Sequence, residues 1–398
     1  MKKAIFWGMG RYAEFVYKQL KEDIEIICAV DSDESKQNKF WIHNLKICNP
    51  SILTEVSFDF VIVSPQNYFS IKRQIEELGI SVEKIECFWE EKNHRCFIPR
   101  TDQLKNEVVL NEKYRARLDS LPYELGVKSS PEIQSSEKLL ELIFSERKSL
   151  CRFGDGEFSM IFNQNRPWFQ TKNENLGKRL LEVFKSDYKK ILTAVAQNFK
   201  NFEFLKESTA DDIRLYMEGE TRKQIIKLFD KDKEYFNAYV SRPYIIYKNS
   251  LNAQKIFALW QKIFYKRNIV LVEGANGRFG IGNNLLDMCR SVKRISCPPK
   301  NSWEKYEEIK KCVENIAQPN DLICISLGPT ATVLAYDLAV LGYQAIDIGQ
   351  LDNEYDWYLM NAKDRCPIPG KFVAEITEPF IPNEEFENIF RHQLVTKI

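Results

Sequence analysis

The chain has 398 residues, 44% hydrophobic and 28% charged, an ordinary globular composition that is too long for one core, so two domains are expected. Lys and Arg (57) nearly balance Asp and Glu (56), and the net charge of +1 excludes the broad basic footprint of a nucleic-acid binder. Ten cysteines with no C-x-x-C, three histidines and no G-x-S-x-G exclude a disulfide scaffold, a zinc site and a Ser-His hydrolase, and fit a reducing cytoplasm. No run approaches the ~18 apolar residues of a membrane span, and the N-terminal run stops at Gly8, too soon for a signal peptide.

Residues 4–8 (AIFWG) read as a strand, followed by Gly8-Met9-Gly10-Arg11-Tyr12-Ala13 and an amphipathic helix to Lys21. EIICAVDSD (25–33) gives a second strand ending at Asp31, FDFVIVSP (58–65) a third, then come a helix through Leu78 and a strand near Ile85. A G-x-G-x-x-A turn after the first strand and an acid after the second predict a Rossmann-like domain over 1–92, with Gly8, Gly10 and Asp31 as candidate nucleotide contacts. No catalytic His or Tyr motif follows, which disfavours an oxidoreductase and leaves a degenerate accessory domain as the expectation. From 93 to 133 the periodicity is lost and turn signals accumulate, which predicts a linker.

The second domain is expected over 134–398. A helix from Ser135 to Glu146 leads into SLCRF, an apolar strand that breaks at Gly154-Asp155-Gly156-Glu157. A surface turn uses Asp and Gly for local reasons alone. Here, however, the carboxylates follow a buried strand, where open α/β sheets place ligands, and a D-x-E pair in extended chain shares one face. Two hard oxygen donors suit Mg²⁺ or Mn²⁺ held partly by phosphates. KKILTAV reads as a strand, and 211–266 as mostly exposed, charged helix.

From Asn268 the alternation is clean: NIVLVEG, a helix from Gly282, VKRISCP, a helix from Ser302, DLICISLGPTA, a helix to Leu341, and YQAIDIG. The loops after these strands carry Gly274, Asn276, Arg278, Gly280 and Asn283, then Lys300 and Asn301, then Gly328 and Thr330, then Asp352, Glu354 and Asp356. Gly-rich turns and helix N-termini accept anions, so these loops, with Arg152 and Gly154 beside the D-x-E pair, predict a phosphate cradle for a nucleotide sugar. With no histidine in reach, Asp352 or Glu354 is the expected general base, although acids at a helix start also complement its dipole. Trp357 is expected in the core or on a sugar ring.

RFGDGE (152–157), VEGANGRFGIGN, CPPKNSWEKYEEI, SLGPTATVLAYDLA and YQAIDIGQLDNEYDWYLM together resemble the GT-D type bacterial glycosyltransferases over roughly 131–375. The resemblance implies a C-terminal GT-D type, Rossmann-like α/β domain, a UDP-sugar donor such as UDP-glucose, and a divalent metal, Mn²⁺ or Mg²⁺, on the D-x-E pair, here Asp155 and Glu157. A glycan, glycoprotein or lipid-linked saccharide is the expected acceptor, for a cytoplasmic enzyme without a transmembrane segment that works alone or at the membrane periphery. The alternative expectation is a catalytically inactive nucleotide-sensing or scaffold protein.

Overall fold

The structure, a computed structural model, describes residues 1–90, 95–98, 101–164, 170–249, 251–373, 376 and 381–398. It comprises two units, Met1–Glu112 and Lys113–Ile398. The boundary expected at 92–93 lies outside the described residues. The stretch expected to be a linker contains a helix, Thr101–Glu124. Its C-terminal half docks through small or polar residues, with Ala116 and Ser120 fully buried, and through ion pairs such as Arg117–Asp211 at 2.8 Å and Arg214–Glu124 at 2.9 Å. A helix held by charges on its buried side carries no apolar stripe, so periodicity misses it.

The first unit is a five-stranded parallel sheet: β1 Lys2–Trp7, β2 Ile24–Val30, β3 Ile47–Cys48, β4 Phe60–Val63 and β5 Ile85–Cys87, in the order β3-β2-β1-β4-β5. The strand order is that of a Rossmann-like half-fold. The helix after the Gly8–Gly10 turn is short, Ala13–Tyr17, because Leu20 leaves it to bridge Phe97 and the Lys21 N–H donates to the Cys96 carbonyl.

The second unit is a nine-stranded sheet of β6 Ile133–Gln134, β7 Ser149–Phe153, β8 Ile191–Val195, β9 Tyr235–Asn237, β10 Asn268–Gly274, β11 Ser291–Cys297, β12 Leu322–Ser326, β13 Gln344–Asp347 and β14 Leu394–Lys397. The order is β14-β11-β10-β12-β13-β7-β8-β9-β6, and every pairing is parallel. Alternate residues face two separate cores: Cys151, Val270, Val272 and Ile323 lie in one, Leu150, Ile269, Leu271 and Cys324 in the other. A parallel sheet covered on both faces requires such continuous apolar strands. β7 is central. The chain runs outward from it through β8 and β9, then returns from the far side through β10 to β13, so the carboxyl ends of β7, β13 and β12 flank a change of winding direction, the usual ligand crevice of an open sheet.

Candidate active site

β7 ends at Phe153, and Gly154 caps a helix, Asp155–Ile161, that carries both carboxylates in its first turn. The pair therefore does not lie in extended chain, as the i, i+2 argument assumed; Asp155 and Glu157 occupy the first and third helical positions. Glu157 Oε2 accepts the Gly154 N–H at 2.7 Å, the return half of a capping box. Burial pushes its carboxyl up to about 7, reinforced by Asp347 and opposed by the Gly154 N–H and Arg152. A glutamine caps equally well, so capping alone does not account for a carboxylate whose charge is disfavoured where it sits. Asp155 is exposed.

The neighbouring strand ends supply the walls. The helix Pro329–Val340 follows β12, and a Cβ at Gly156 would lie 3.8 Å from the Pro329 ring, so the two helix starts adjoin. Gly328 has φ +56°, and Thr330 is fully buried with no hydrogen-bond partner for its Oγ1 among the described residues. Arg152 does not point freely at a ligand: its Nε and Nη2 donate to Asp347 at 2.9 Å (backbone oxygen) and 2.7 Å (Oδ1), and Nη1 donates to Ser241 Oγ at 2.8 Å. Gly349, at φ +50°, leaves room for that guanidinium, where any Cβ would collide with it. β9 and the turn after it, Ala238–Ser241, bring in Tyr239, whose hydroxyl donates to Asn198 Oδ1 at 2.6 Å, and Arg242, which donates to Gln350 Oε1 at 2.7 Å. Burial pushes the Tyr239 hydroxyl well above its ordinary value, with smaller contributions from Tyr247 and Asp155 and an opposing one from Arg242. Sequence reasoning missed these residues by reading 211–266 as helix; the aromatic alternation of YFNAYV was the available strand signal.

The Gly-rich loop after β10 differs from the expected cradle. No helix starts at Gly282; residues 281–290 form bends and turns, and Gly280 and Gly282 have φ +69° and +81°, which end helical propagation. The loop's N–H groups already meet carboxylates of the same chain, Gly280 N donating to Asp352 Oδ1 at 2.8 Å and Phe279 N to Glu273 Oε2 at 3.1 Å. Glu273 in turn pairs with buried Arg294, whose Nη2 donates to the Phe279 carbonyl at 2.7 Å. Arg278, expected on a diphosphate, pairs with Glu387 at 2.6 Å and stacks 3.9 Å over the Phe390 ring. Gly274 packs 3.1 Å from Pro299 Cα when given a Cβ, and Asn276 is partly exposed beside it.

The expected bases are also engaged. Asp352 Oδ1 accepts from Asn283 Nδ2 at 2.8 Å as well as Gly280 N, and Oδ2 accepts from Lys371 Nζ at 2.7 Å. Lys371 also donates to Asp356 Oδ2 at 2.5 Å, closing a buried network that holds Asn283 in place. Glu354 is fully buried; its Oε2 accepts the Tyr244 and Ile245 N–H groups at 3.0 and 2.9 Å, and Oε1 has no partner among the described residues. Burial raises its carboxyl above the ordinary value. Both acids accept backbone N–H groups and so fix the segments they contact. Asn301, in the left-handed region at φ +55°, accepts the Thr171 N–H at 2.8 Å, Lys300 is exposed, and Trp357 is fully buried with its Nε1–H on the Cys366 carbonyl. An open groove lined by Gln261, Lys262, Tyr265, Asn284, Asp287 and Met288 contains none of these groups.

In the first unit, Asp31 turns back on its own glycine turn. Its Oδ2 accepts the Met9 N–H at 2.7 Å and pairs with Lys36 at 3.1 Å, and Oδ1 accepts the Asp33 N–H at 2.9 Å. Gly8, at φ +101°, packs against Pro65, while Gly10 faces open space. The carboxylate expected on a ribose therefore satisfies the turn that was expected to bind phosphate.

Carboxylates and helix starts gathered at the carboxyl ends of a parallel sheet occupy the place where open α/β folds carry their ligand sites. The profile of the family described as "Glycosyltransferase GT-D fold" matches residues 150–376, and the chain belongs to that family of glycosyltransferases. Residues 1–86 match a family described as "C2185-like, N-terminal". The glycosyltransferase GlyD of Streptococcus pneumoniae serotype 4 is 30% identical over 274 residues, 67% of this chain and 32% of its own length. The probable glycosyl transferase Gly of Streptococcus gordonii is 32% identical over 246 residues, 61% of this chain and 35% of its own. The chain thus spans about a third of the length of these curated relatives. A solved structure described as a highly conserved domain of unknown function 1792 with a distinct glycosyltransferase fold superposes with TM-score 0.63 at 29% identity, covering 73% of this chain and 99% of that one. A glycosyltransferase of the same domain type from Streptococcus sanguinis gives 0.62 at 28%, covering 67% and 100%.

Among the described residues no group of three or more His, Cys, Asp or Glu side chains is placed to hold a metal. Asp155 and Glu157 would be the residues to hold a divalent cation: both are hard oxygen donors in one helical turn, the ligand type that Mg²⁺ and Mn²⁺ take beside phosphates. A cation would also remove the penalty on ionised Glu157. The donor chemistry fits.

Proposed function

We propose that the chain is a metal-dependent glycosyltransferase that moves a sugar from a nucleotide donor, a UDP-sugar such as UDP-glucose, to a glycan acceptor, protein-linked or lipid-linked, in the cytoplasm or at the membrane periphery. The observation that carries this is the D-x-E turn, whose two carboxylates head a helix at the carboxyl end of the central strand of a GT-D fold. Among the described residues no helix is long and apolar enough to cross a membrane.

In this proposal Asp155 and Glu157 hold Mn²⁺ or Mg²⁺, which when bound supplies charge neutralisation for the departing diphosphate. The adjoining start of the helix Pro329–Val340 turns the positive end of its dipole toward the same anion, with Gly328 and Thr330 at its rim; Pro329 has no N–H and the Ala331 N–H donates to the Gly328 carbonyl at 2.9 Å, so the attraction is that of the helix end. Arg152 acts one step back: it fixes Asp347 and Ser241, and so the spacing of the β7, β13 and β9 ends. Gly274, Asn276 and Asn301 line the donor side, whereas Arg278, Gly280, Asn283 and Asp352 hold the loops in shape. The test is a panel of nucleotide sugars screened for Mn²⁺-dependent nucleotide release. Release from one donor, lost on chelation and restored by Mn²⁺, supports the proposal; no release from any donor with any divalent cation and acceptor glycan overturns it in favour of a scaffold.

A further inference from the structure

The helix that carries the D-x-E pair is only seven residues long, Asp155–Ile161, so its position is set by what it packs against. Its C-terminal end lies on the helix Glu174–Lys185, and the contact is made at Gly177. A Cβ built there falls onto the Met160 carbonyl oxygen, inside the 3.0 Å that real Cβ atoms keep, with the carbonyl carbon at 3.1 Å and Ile161 Cα at 3.7 Å. The obstacle is backbone, so no side-chain rotation relieves it. The φ of Gly177 is not in the left-handed region, and the residue sits inside a helix, where Ala is the better helix former. Glycine is therefore required here by proximity and not by conformation.

The remaining contacts of the short helix leave it little freedom to move elsewhere. Phe158 and Met160 are buried, with Phe158 packed on Phe184 of the same partner helix at a 5.7 Å ring separation. The Asn173 N–H donates to Met160 Sδ at 3.2 Å, and Asn173 Oδ1 caps the partner helix by accepting Leu176 N–H at 3.0 Å. Gly156 adjoins Pro329 on the opposite side. A side chain at 177 must push Met160 and Ile161, and with them the first turn that carries Asp155 and Glu157.

We infer that Gly177 is a positioning residue for the donor–metal site: its missing side chain lets the partner helix seat closely against the D-x-E helix and so sets the position of Asp155 and Glu157, the residues that would hold the cation. The inference rests on the metal-holding role proposed for Asp155 and Glu157. Local propensity and tertiary fit make opposite predictions for Gly177→Ala, since propensity alone favours the alanine.

The experiment compares wild type, Gly177→Ala and Lys178→Ala, an exposed site on the same helix. Binding of UDP is followed by calorimetry across a range of MnCl₂ concentrations, with turnover and acceptor KM measured in parallel. The expected result for Gly177→Ala is a rise of about tenfold in the Mn²⁺ concentration needed for UDP binding, the size seen when a metal site's supporting contacts are disturbed, with turnover reduced and acceptor KM unchanged. Lys178→Ala behaves as wild type. Hydrogen exchange on the wild-type protein gives an arm that does not depend on the variant folding: UDP with Mn²⁺ slows exchange in 155–161 and 174–180 together. Unaltered Mn²⁺ dependence in a folded Gly177→Ala, or protection confined to 155–161, overturns the inference while leaving the D-x-E assignment standing. If wild type binds no nucleoside diphosphate with Mn²⁺, the assignment itself falls and the inference falls with it.

Discussion

The turn after β7 and the loop after β10 both follow a central parallel strand, and both are built of glycine with charged residues. In the loop, the polar groups are closed on one another: Gly280 and Phe279 N–H on Asp352 and Glu273, Arg278 on Glu387, Lys371 across two aspartates. In the turn, Glu157 uses one oxygen on the Gly154 N–H and is held near neutrality by burial, while Asp155 is exposed. The difference shows that the same glycine-and-charge composition is compatible with polar groups satisfied inside the chain and with carboxylates left at the surface.

The largest expected effect tests the closed side. Lys371→Met leaves Asp352 and Asp356 buried beside one another without their cation, and the second unit is expected to lose about 3–5 kcal/mol, the usual result of breaking a buried pair. The denaturant midpoint measures it, and a loss below ~1 kcal/mol breaks the contrast.

On the open side, Asp155→Asn and Glu157→Gln are each expected to lower metal-dependent transfer by about 10²-fold or more, the scale of losing one contact to developing charge. Melting temperature in the absence of metal should not fall, because an amide at 157 still caps. Either variant at full activity with unchanged Mn²⁺ dependence removes the metal assignment.

The pH dependence of Glu157 comes next. Its ordinary value is 4.5 and its folded value about 7, so between these the folded chain binds the proton more tightly. Its contribution to stability is present below about 4.5 and is lost as pH rises through about 7. Metal-free Glu157→Gln should therefore melt higher than wild type at pH 8 and together with it at pH 4.5, while Mn²⁺ should stabilise wild type more at pH 8 than at pH 5.5. Scanning calorimetry at these pH values decides it; a difference independent of pH rules out a penalised carboxylate.

Arg278→Ala should cost about 1–3 kcal/mol of stability through its lost ion pair and ring contact, yet change donor affinity by less than about threefold. A selective loss of donor binding would return this arginine to the diphosphate. The smallest expected effect belongs to the first unit: ADP or NAD at millimolar concentration should leave the melting of residues 1–112 unshifted, because Asp31 already occupies the Met9 N–H. A dose-dependent rise would show that the turn opens for a nucleotide.

Much of the fold was legible because short continuous apolar runs, such as FVIV and the IVLV of NIVLVEG, fit best as parallel strands covered on both faces. The D-x-E turn was legible for the same reason, since a strand that stops at glycines and acids must end at a solvent-facing edge. Less legible were the helix over 101–124, which is held by ion pairs that no local period reports, and the strand β9, only three residues long and set among charged helices, whose one local signal is the alternation of YFNAYV. The partners of Arg278, Asp352 and Glu354 were likewise visible only in three dimensions. Sequence shows that a group is charged, but whether the charge is available depends on partners 109, 19 and about 110 residues away, Glu387, Lys371 and the Tyr244–Ile245 backbone, which only the folded chain brings within hydrogen-bond reach.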